Sequence, residues 1–196
     1  MKTLALFDFD VTLTKKDTLF VFTKYYHGVA SFYIGLLVLS PSFLLFALKL
    51  IRNDQLKERY LKWFFENESE EQFNTKCECF AETINKIIRP AARDQLRIYL
   101  QNEITIAVVS ASPINWVKPW CDQYKINCLA TALEVVDGRL TGKISGKNCY
   151  GDEKVSKIRK HYTLSAYEEI FVYGDSSGDK EMLTLGTKKF YKPFRD

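Results

Sequence analysis

Three continuous apolar runs constrain the fold of this chain more than any other feature. They occupy residues 3–7, 104–109 and 170–173, and each is followed by small or acidic residues. Unbroken hydrophobicity, rather than alternation, is typical of strands buried on both faces of a parallel sheet. Amphipathic helical patterns lie between the runs, at residues 91–100 and 153–162. The sequence therefore predicts right-handed βαβ units and an α/β fold with a doubly wound parallel sheet.

Two regions interrupt this alternation. Asp137-Gly138 stands between two β-prone runs within residues 133–145, which predicts a small β-hairpin at the surface. In residues 16–86, helical patterns follow one another without an apolar run that ends in acidic residues. We therefore expect a core made of residues 1–15 and 87–196, with residues 16–86 inserted after the first strand as a helical cap.

Composition and charge exclude several classes of protein. Of the 196 residues, 46% are hydrophobic and 27% are charged, which is typical of an ordered globular chain and not of a disordered one. A net charge of +4 is too small for a nucleic-acid-coating protein, so we expect no nucleic-acid partner. The charge is compatible with an anionic substrate or an anionic membrane surface. Five unpatterned cysteines and the lack of a signal-peptide core predict a cytoplasmic location.

Acidic residues gather at the predicted carboxyl ends of the strands. Asp8 and Asp10 lie two residues apart after the first run, and Asp175 and Asp179 lie four apart after the third. Taken singly, an aspartate is usually a helix cap or a turn residue. Carboxylates brought close together repel one another and are usually stabilised by a bound cation. Since the set contains no His or Cys, it predicts a site for Mg²⁺.

The same strand ends carry groups suited to a phosphate. A phosphoryl group needs a cation and hydrogen-bond donors around its oxygens. Lys154 supplies the cation, and Ser110 with the backbone amides after it supplies donors. Together with the carboxylates, these residues point to phosphoryl chemistry.

A stretch without charged side chains, residues 25–48, passes the length test for a transmembrane helix. A single crossing would separate Asp8 from Lys154, so no shared site could form. Ser40-Pro41-Ser42 divides the stretch into halves of about ten residues, each about 15 Å long, which predicts a helical hairpin. Three interpretations stay open: a buried cap or dimer contact, a hairpin that brings residues 29–51 onto one leaflet of a membrane, and a two-pass hairpin.

At this point the sequence resembles the haloacid dehalogenase (HAD) superfamily, in its phosphoserine-phosphatase-like branch. Four segments carry the resemblance in the family's order. They are Asp8-Phe9-Asp10-Val11-Thr12-Leu13-Thr14, Val108-Val109-Ser110, Gly151-Asp152-Glu153-Lys154 and Gly174-Asp175-Ser176-Ser177-Gly178-Asp179. The resemblance covers nearly the whole chain and implies a Rossmann-like core and a phosphatase.

The resemblance also implies roles for the acidic residues. Asp8 would attack phosphorus and form an aspartyl-phosphate, while Asp10 would protonate the leaving oxygen and then activate water. Mg²⁺ would be held by Asp8, the backbone carbonyl of Asp10 and Asp175, with Asp179 in or beside the layer of groups around these ligands.

Around the phosphate, the resemblance implies roles for Ser110, Lys154 and Thr12. Ser110 would bind a phosphoryl oxygen, Lys154 would neutralise charge between nucleophile and phosphate, and Thr12 would help to order the turn after the first strand. Val11 departs from the pattern, because many members have Gly there. A β-branched side chain would be strained if φ were positive at this position.

The substrate depends on the cap. Asp17 lies where phosphoserine phosphatases carry a Glu that binds the substrate's amino group, but the sequence offers no clear cap partner for a carboxylate, so phosphoserine is not favoured. The apolar stretch and residues 52–65 look similar to the cap of the phosphatidylglycerophosphatase C type. We therefore expect an amphiphilic or lipid phosphate, such as phosphatidylglycerophosphate. A small soluble phosphomonoester, a phosphotransferase reaction and a catalytically silent scaffold that binds a partner through its apolar cap are the alternatives.

Overall fold

A six-stranded sheet forms the centre of the protein in a computed structural model that describes residues 2–195. The two ends of the expected core, Met1 and Asp196, lie outside the described residues. The strands are β1 (Thr3–Phe7), β2 (Thr105–Pro113), β3 (Asn127–Val136), β4 (Arg139–Ser145), β5 (Glu169–Gly174) and β6 (Lys188–Tyr191). Their order is β4-β3-β2-β1-β5-β6, and every neighbouring pair is parallel except β3 and β4.

Helices cover both faces of this sheet. They are α1 (Thr18–Ala47), α2 (Asn53–Phe65), α3 (Glu70–Ile87), α4 (Pro90–Gln101), α5 (Ile114–Gln123), α6 (Asp152–His161) and α7 (Lys180–Leu183). Along β1, Ala5 and Phe7 belong to one hydrophobic cluster, and Leu4 and Leu6 belong to the other. Burial on both faces explains the unbroken hydrophobicity of the strand. The predicted doubly wound α/β fold is confirmed.

The register of the central strands brings their carboxyl ends together. Phe7, the last residue of β1, pairs with Val108 of β2 and with Tyr173 of β5. Asp8, Ser110 and Asp175 follow these paired positions within two residues. Because the strands are parallel, the polar residues after them share one edge of the sheet.

The predicted hairpin is present and belongs to the central sheet. Asp137 and Gly138 both have positive φ, 49° and 71°, as a tight two-residue turn between β3 and β4 requires. Through β3, which pairs with β2, the hairpin forms one edge of the sheet rather than a separate surface element. The opposite edge is β6, which was not predicted because it has only four residues, all exposed.

Helices α1, α2 and α3 follow one another between β1 and α4, where the cap was expected. They pack on the rest of the protein: α3 contacts α5, and α2 contacts β4. The ring of Phe22 in α1 stacks on Trp116 in α5 at a centroid distance of 4.6 Å. The division into a core and a cap at residues 16–86 stays a prediction.

The predicted break at Ser40-Pro41-Ser42 is wrong, because α1 continues through Pro41. Proline cannot donate to the carbonyl of Leu37, but the hydroxyl of Ser40 does so at 2.7 Å. The change of direction falls instead at Gly28, whose φ of 82° interrupts the helical geometry. Residues 29–47 therefore form one continuous helical segment of α1, about 28 Å long, and not a hairpin.

Candidate active site

Asp8 is buried at the end of β1 and is held on both of its oxygens. Lys154 Nζ, from the first turns of α6, donates to Asp8 Oδ1 at 2.6 Å, and Thr12 Oγ1 donates to Asp8 Oδ2 at 2.8 Å. Burial raises the pKa of Asp8 to about 7, with Asp179 and Asp10 adding to the rise and Lys154 opposing it. The carboxylate thus stands desolvated beside a cation, and only 7% of the residue is exposed.

Lys154 bridges two carboxylates from different strand ends. Its ammonium lies 2.6 Å from Asp8 Oδ1 and 2.6 Å from Asp179 Oδ1. Burial alone would lower the pKa of Lys154, but the two carboxylates outweigh it and raise the pKa above its ordinary value. The lysine is therefore a permanent positive charge beside the carboxylate of Asp8.

Asp179 organises the loop after β5. Its Oδ2 accepts hydrogen bonds from the amides of Asp175 and Ser176, at 3.1 and 3.0 Å, and from Ser176 Oγ at 2.9 Å. Burial opposes ionisation, yet Lys154 and these donors hold the pKa of Asp179 below its usual value. The side chain of Asp179 thus fixes the position of the Asp175 amide and of the Lys154 ammonium.

Asp8, Asp175 and Asp179 form an acidic cluster. One carboxylate oxygen from each lies within 4.8 Å of the others. Burial and Asp179 raise the pKa of Asp175, although Arg195 Nη2 lies 2.6 Å from Asp175 Oδ2. Three carboxylates face two basic groups, Lys154 and Arg195, so the cluster retains an excess of negative charge. Oxygen donors with this excess fit a hard divalent cation such as Mg²⁺.

The carboxylate of Asp10 is not part of this cluster and binds the start of α1. Thr18 donates to Asp10 Oδ1 through its amide at 2.7 Å and through its hydroxyl at 2.6 Å. On the other oxygen, Ser112 Oγ donates at 2.7 Å and Ser110 Oγ at 3.3 Å. The carboxylate of Asp10 is therefore oriented by the first turn of α1 and by the end of β2. The metal contact implied for its backbone carbonyl stays a prediction.

Ser112 and Thr18 were not identified from the sequence. A signal for Ser112 was present, because alternate residues of a strand share a face and Ser110 had been singled out. Thr18 is fully buried, and its hydroxyl also accepts a hydrogen bond from Trp116 Nε1 at 3.1 Å. Its position beside Asp10 depends on where α1 begins, which no short motif specifies.

Val11 adopts a φ of 62°, so the strain expected for a β-branched residue at this position is present. The turn is held on both sides of the valine. Val11 N donates to Thr14 Oγ1 at 3.0 Å, and Arg89 Nε donates to the carbonyl of Val11 at 3.3 Å. These contacts keep the chain between Asp10 and Thr12 in a conformation that glycine would adopt more readily.

A cavity of about 340 Å³ opens above these residues. The polar side chains on its floor come from the strand ends, and its other wall comes from α1 and α2. The polar lining includes Asp8, Asp10, Asp17, Lys57, Ser112, Lys154, Asp175 and Asp179, and the apolar lining includes Leu19, Phe20, Phe43, Leu56 and Tyr60. The wall at the strand ends is thus charged, while the wall from α1 and α2 carries the apolar side chains together with Asp17 and Lys57.

Two charged residues of the cap region enter the cavity. Asp17 begins α1, where its Oδ1 accepts from the amide of Leu19 at 2.9 Å, so it is a helix cap as well as a lining residue. Burial and the neighbouring Asp10 raise its pKa to about 7. Lys57 of α2 donates to the carbonyl of Ala111 and, at 2.9 Å, to Asn148 Oδ1.

Lys57 was also missed by sequence reasoning. It is one of several charged residues on an amphipathic helix, and nothing in the local pattern distinguishes it from the others. Burial lowers its pKa to about 8, while Asp10, Cys149 and Asp17 act in the opposite direction. It supplies a cationic group in the cap region that the sequence analysis did not find.

The fold and this geometry can be compared with known proteins. The chain is 32% identical over 199 residues to Protein CicA of Caulobacter vibrioides, a match that covers 98% of this chain and 86% of that protein. A crystal structure of a protein of unknown function from Bordetella pertussis Tohama I has a TM-score of 0.81 at 24% identity, covering 95% of this chain and 88% of the other.

A substrate-bound phosphoserine phosphatase complex has a similar fold, with a TM-score of 0.71 at 18% identity, covering 97% of this chain and 86% of the other. The family model of the haloacid dehalogenase-like hydrolases matches residues 5–184, a range that contains all four sequence motifs. The predicted family and the prediction of a hydrolytic enzyme are confirmed: the chain belongs to the haloacid dehalogenase-like hydrolase family.

Proposed function

We propose that this protein is a Mg²⁺-dependent phosphomonoester hydrolase that works through an aspartyl-phosphate at Asp8 and acts on an amphiphilic phosphate. The observation that carries the reaction type is the environment of Asp8. Its carboxylate is buried, paired with Lys154 at 2.6 Å and adjacent to the carboxylates of Asp175 and Asp179. A nucleophile beside a fixed cation and a hard-metal donor set is suited to phosphoryl transfer.

In the first half of the reaction, an oxygen of Asp8 forms a bond to phosphorus as the bond to the leaving oxygen breaks. Asp10 donates its proton to that leaving oxygen. Lys154 stabilises the negative charge that develops between Asp8 and the phosphoryl oxygens. Asp8, Asp175 and the backbone carbonyl of Asp10 would hold Mg²⁺, which would supply further charge neutralisation when bound.

In the second half, Asp10 takes a proton from water as the water oxygen bonds to phosphorus. The bond between Asp8 and phosphorus breaks, which releases inorganic phosphate and restores the Asp8 carboxylate. Thr18 and Ser112 keep Asp10 in one orientation through both halves, since they donate to its two oxygens. Donors held in place before the reaction lower its reorganisation cost.

The charged floor and the apolar side chains that α1 and α2 add to the same cavity support an amphiphilic substrate. The phosphate would lie against Asp8 and Lys154, while the apolar portion would contact Phe20, Phe43 and Leu56. Burying an apolar tail is favourable by about 25 cal/mol for each Å² removed from water. A lipid phosphate such as phosphatidylglycerophosphate, presented at the cytoplasmic face of a membrane, meets these requirements.

Asp17 and Lys57 favour a second candidate. They place an acidic and a basic side chain in the same cavity, where a small zwitterionic phosphomonoester such as phosphoserine would find partners for an ammonium and a carboxylate. This substrate uses the polar half of the cavity and leaves the apolar wall without a role. We therefore rank it below the amphiphile.

Phosphate release by the purified protein distinguishes these candidates. The assay compares phosphatidylglycerophosphate in mixed micelles with phosphoserine and other soluble phosphomonoesters, with and without Mg²⁺. We expect the lipid to be preferred, and Asp8→Asn to lose turnover of every substrate because the variant lacks the attacking carboxylate.

Two further variants test the two halves of the cavity. Phe43→Ser should lower turnover of the lipid and spare phosphoserine, whereas Lys57→Gln should do the reverse if the zwitterion is the substrate. A preference for phosphoserine would overturn the amphiphilic assignment. Release of phosphate from no substrate would favour a silent scaffold, and residual turnover by Asp8→Asn near the wild-type rate would reject the aspartyl-phosphate.

A further inference from the structure

The face of α1 that points away from the rest of the protein is apolar along residues 29–47. Phe32, Gly35 and Leu39 are buried on the opposite side of the helix. The exposed large apolar side chains of this segment are Val29, Tyr33, Ile34, Leu37, Val38, Leu44 and Phe46, and we call them the apolar face. In the most apolar 18-residue stretch of α1, only 17% of the residues are buried. Contiguous exposed apolar surface of this kind marks an interaction site.

The apolar face does not belong to a helix that crosses a membrane once. At about 28 Å, residues 29–47 approach the thickness of the hydrocarbon core, about 30 Å. However, Asp8 precedes α1 and Lys154 follows it, and their side chains lie 2.6 Å apart. A single crossing would put them on opposite sides of the bilayer. The helix is also fixed sideways against α2, because Gly35 approaches the rings of Phe64 and Trp63 too closely for any larger residue.

The charged residues of the chain segment that carries the apolar face have one sign. No Asp or Glu lies between Asp17 and Asp54, and the charged residues in that interval are Lys24, Lys49 and Arg52. Lys24 precedes the segment, with its ammonium 4.5 Å from the ring centroid of Phe32, and Lys49 follows it in an exposed position. An apolar strip with basic residues at both ends complements an anionic lipid surface, not a neutral one.

The apolar face is continuous with the cavity above Asp8. Phe43, on the same continuous segment of α1, contributes to the cavity wall. A surface in contact with the exposed side of this segment would therefore lie next to the part of the cavity wall that Phe43 forms. This continuity favours a lipid surface over a second protein as the occupant, because the lipid would reach the cavity without leaving an apolar environment.

We propose that the apolar face binds flat in the plane of an anionic lipid surface, with Lys24 and Lys49 at the headgroups, and that this contact places the cavity mouth at the lipid. The inference rests on the proposed function, because membrane binding would help the enzyme reach its substrate only if that substrate is an amphiphile in the lipid surface. Binding itself needs no substrate and no turnover, so it can be measured separately.

The test is co-sedimentation of the full chain with vesicles. One set contains phosphatidylcholine with phosphatidylglycerol, and the other contains phosphatidylcholine alone. We expect binding to the first set that is at least about tenfold tighter than to the second and that weakens as salt is added. The Ile34→Glu/Leu37→Glu double variant should lose at least about tenfold in binding, since both side chains would meet hydrocarbon.

Matched controls separate docking from folding and from catalysis. Ile98→Glu places the same charge on an exposed apolar position of α4, 47% exposed, and should bind as the wild type does. Asp8→Asn should also bind normally, so a failure of the proposed function would not resemble a failure of docking. The double variant should keep its thermal midpoint and its turnover of a soluble aryl phosphate, because neither residue lines the cavity.

Three results would overturn the inference. They are an absence of vesicle binding by the wild type, equal binding to neutral and anionic vesicles, and binding of the double variant at the wild-type level. Light scattering measures the oligomeric state. If the wild type is a dimer that does not bind vesicles, and the double variant is a monomer, the apolar face binds a second copy of this chain instead.

Discussion

The hydroxyl of Thr18, the first residue of helix α1, donates to Asp10 Oδ1 at 2.6 Å, and the amide of Thr18 donates to the same oxygen at 2.7 Å. The side chain proposed to transfer protons is thus oriented by the helix that also carries the apolar face. Any movement of the first turn of α1 would therefore change the orientation of the Asp10 carboxylate.

Thr18→Val should lower kcat by about tenfold with little change in KM, because a misoriented general acid loses part of its usual contribution of about 10²–10⁴. Thr18→Ser keeps the hydroxyl and should retain most of the activity. Steady-state kinetics on both variants, with thermal midpoints to verify folding, check this. If Ser and Val behave alike, Thr18 does not position Asp10.

Mg²⁺ should stabilise the wild-type protein against heat. A ligand present at about 100 times its Kd adds about 2.7 kcal/mol to the free energy of unfolding, which corresponds to a rise of about 5–10 °C in Tm for a chain of this size. EDTA should reverse the rise, and Asp175→Asn should abolish it.

Asp94→Asn is the matched control for the metal, since it removes an exposed carboxylate in α4 that pairs with Arg97. Its Tm should rise with Mg²⁺ as that of the wild type does. An equal rise in Asp175→Asn would place the cation elsewhere.

The affinity for phosphoserine, the candidate substrate that would contact Lys57, should fall as the pH rises through about 8. Burial lowers the pKa of Lys57 to about 8, so the lysine is charged below that pH and neutral above it. KM measured against pH should therefore increase above about 8 in the wild type. In Lys57→Arg the side chain stays charged, and the increase should be absent. Identical KM profiles would show that Lys57 does not contact the substrate.

His27 should make the protein less stable in mild acid. Burial lowers its pKa below the ordinary value of 6.5, and its Nε2 has no hydrogen-bond partner among residues 2–195. The unfolded chain therefore takes up a proton near pH 6.5 when the folded chain does not, so stability falls as the pH drops through this range. Asp8 and Asp17, with raised pKa values, act in the opposite direction.

The contribution of His27 is isolated by comparing the wild type with His27→Phe. Urea unfolding at about pH 7.5 and about pH 5.5, on either side of the ordinary histidine pKa, should give a larger acid-induced loss of stability in the wild type than in the variant. Equal losses would contradict the assignment.

Gly35→Ala should destabilise the contact between α1 and α2. An added Cβ would lie 2.1 Å from Phe64 Cζ, and overpacking of this kind costs about 1–3 kcal/mol, partly offset by about 1 kcal/mol of helix propensity. Urea unfolding should show a net loss of up to about 2 kcal/mol. Ser31→Ala, on the exposed side of the same helix, should show no loss.

Much of the fold could be predicted because its signals are local. The apolar runs that became β1, β2 and β5 identified a parallel sheet, and the parallel direction alone brings Asp8 and Asp175 to one edge. Asp137-Gly138 specified its turn through backbone geometry that few other residue pairs tolerate. These signals need no knowledge of distant parts of the chain.

The remainder depended on contacts between distant parts of the chain. Lys57 enters the cavity because α2 packs on β4 and meets Ala111, which no pattern within α2 reveals. Pro41 was interpreted as a break because the rule considers the missing amide, whereas the Ser40 hydroxyl replaces it. Where a polar side chain donates the hydrogen bond that the proline amide cannot, the rule that proline interrupts a helix does not hold.

Val11 also has a consequence for how this protein would respond to selection. A valine held at a φ of 62° lowers the stability of the folded chain, so glycine at this position is an accessible route to greater heat tolerance. Laboratory evolution at rising temperature should recover Val11→Gly early. If the variant is more heat-stable but has a lower turnover rate, the strained turn next to Asp8 exchanges stability for catalytic rate.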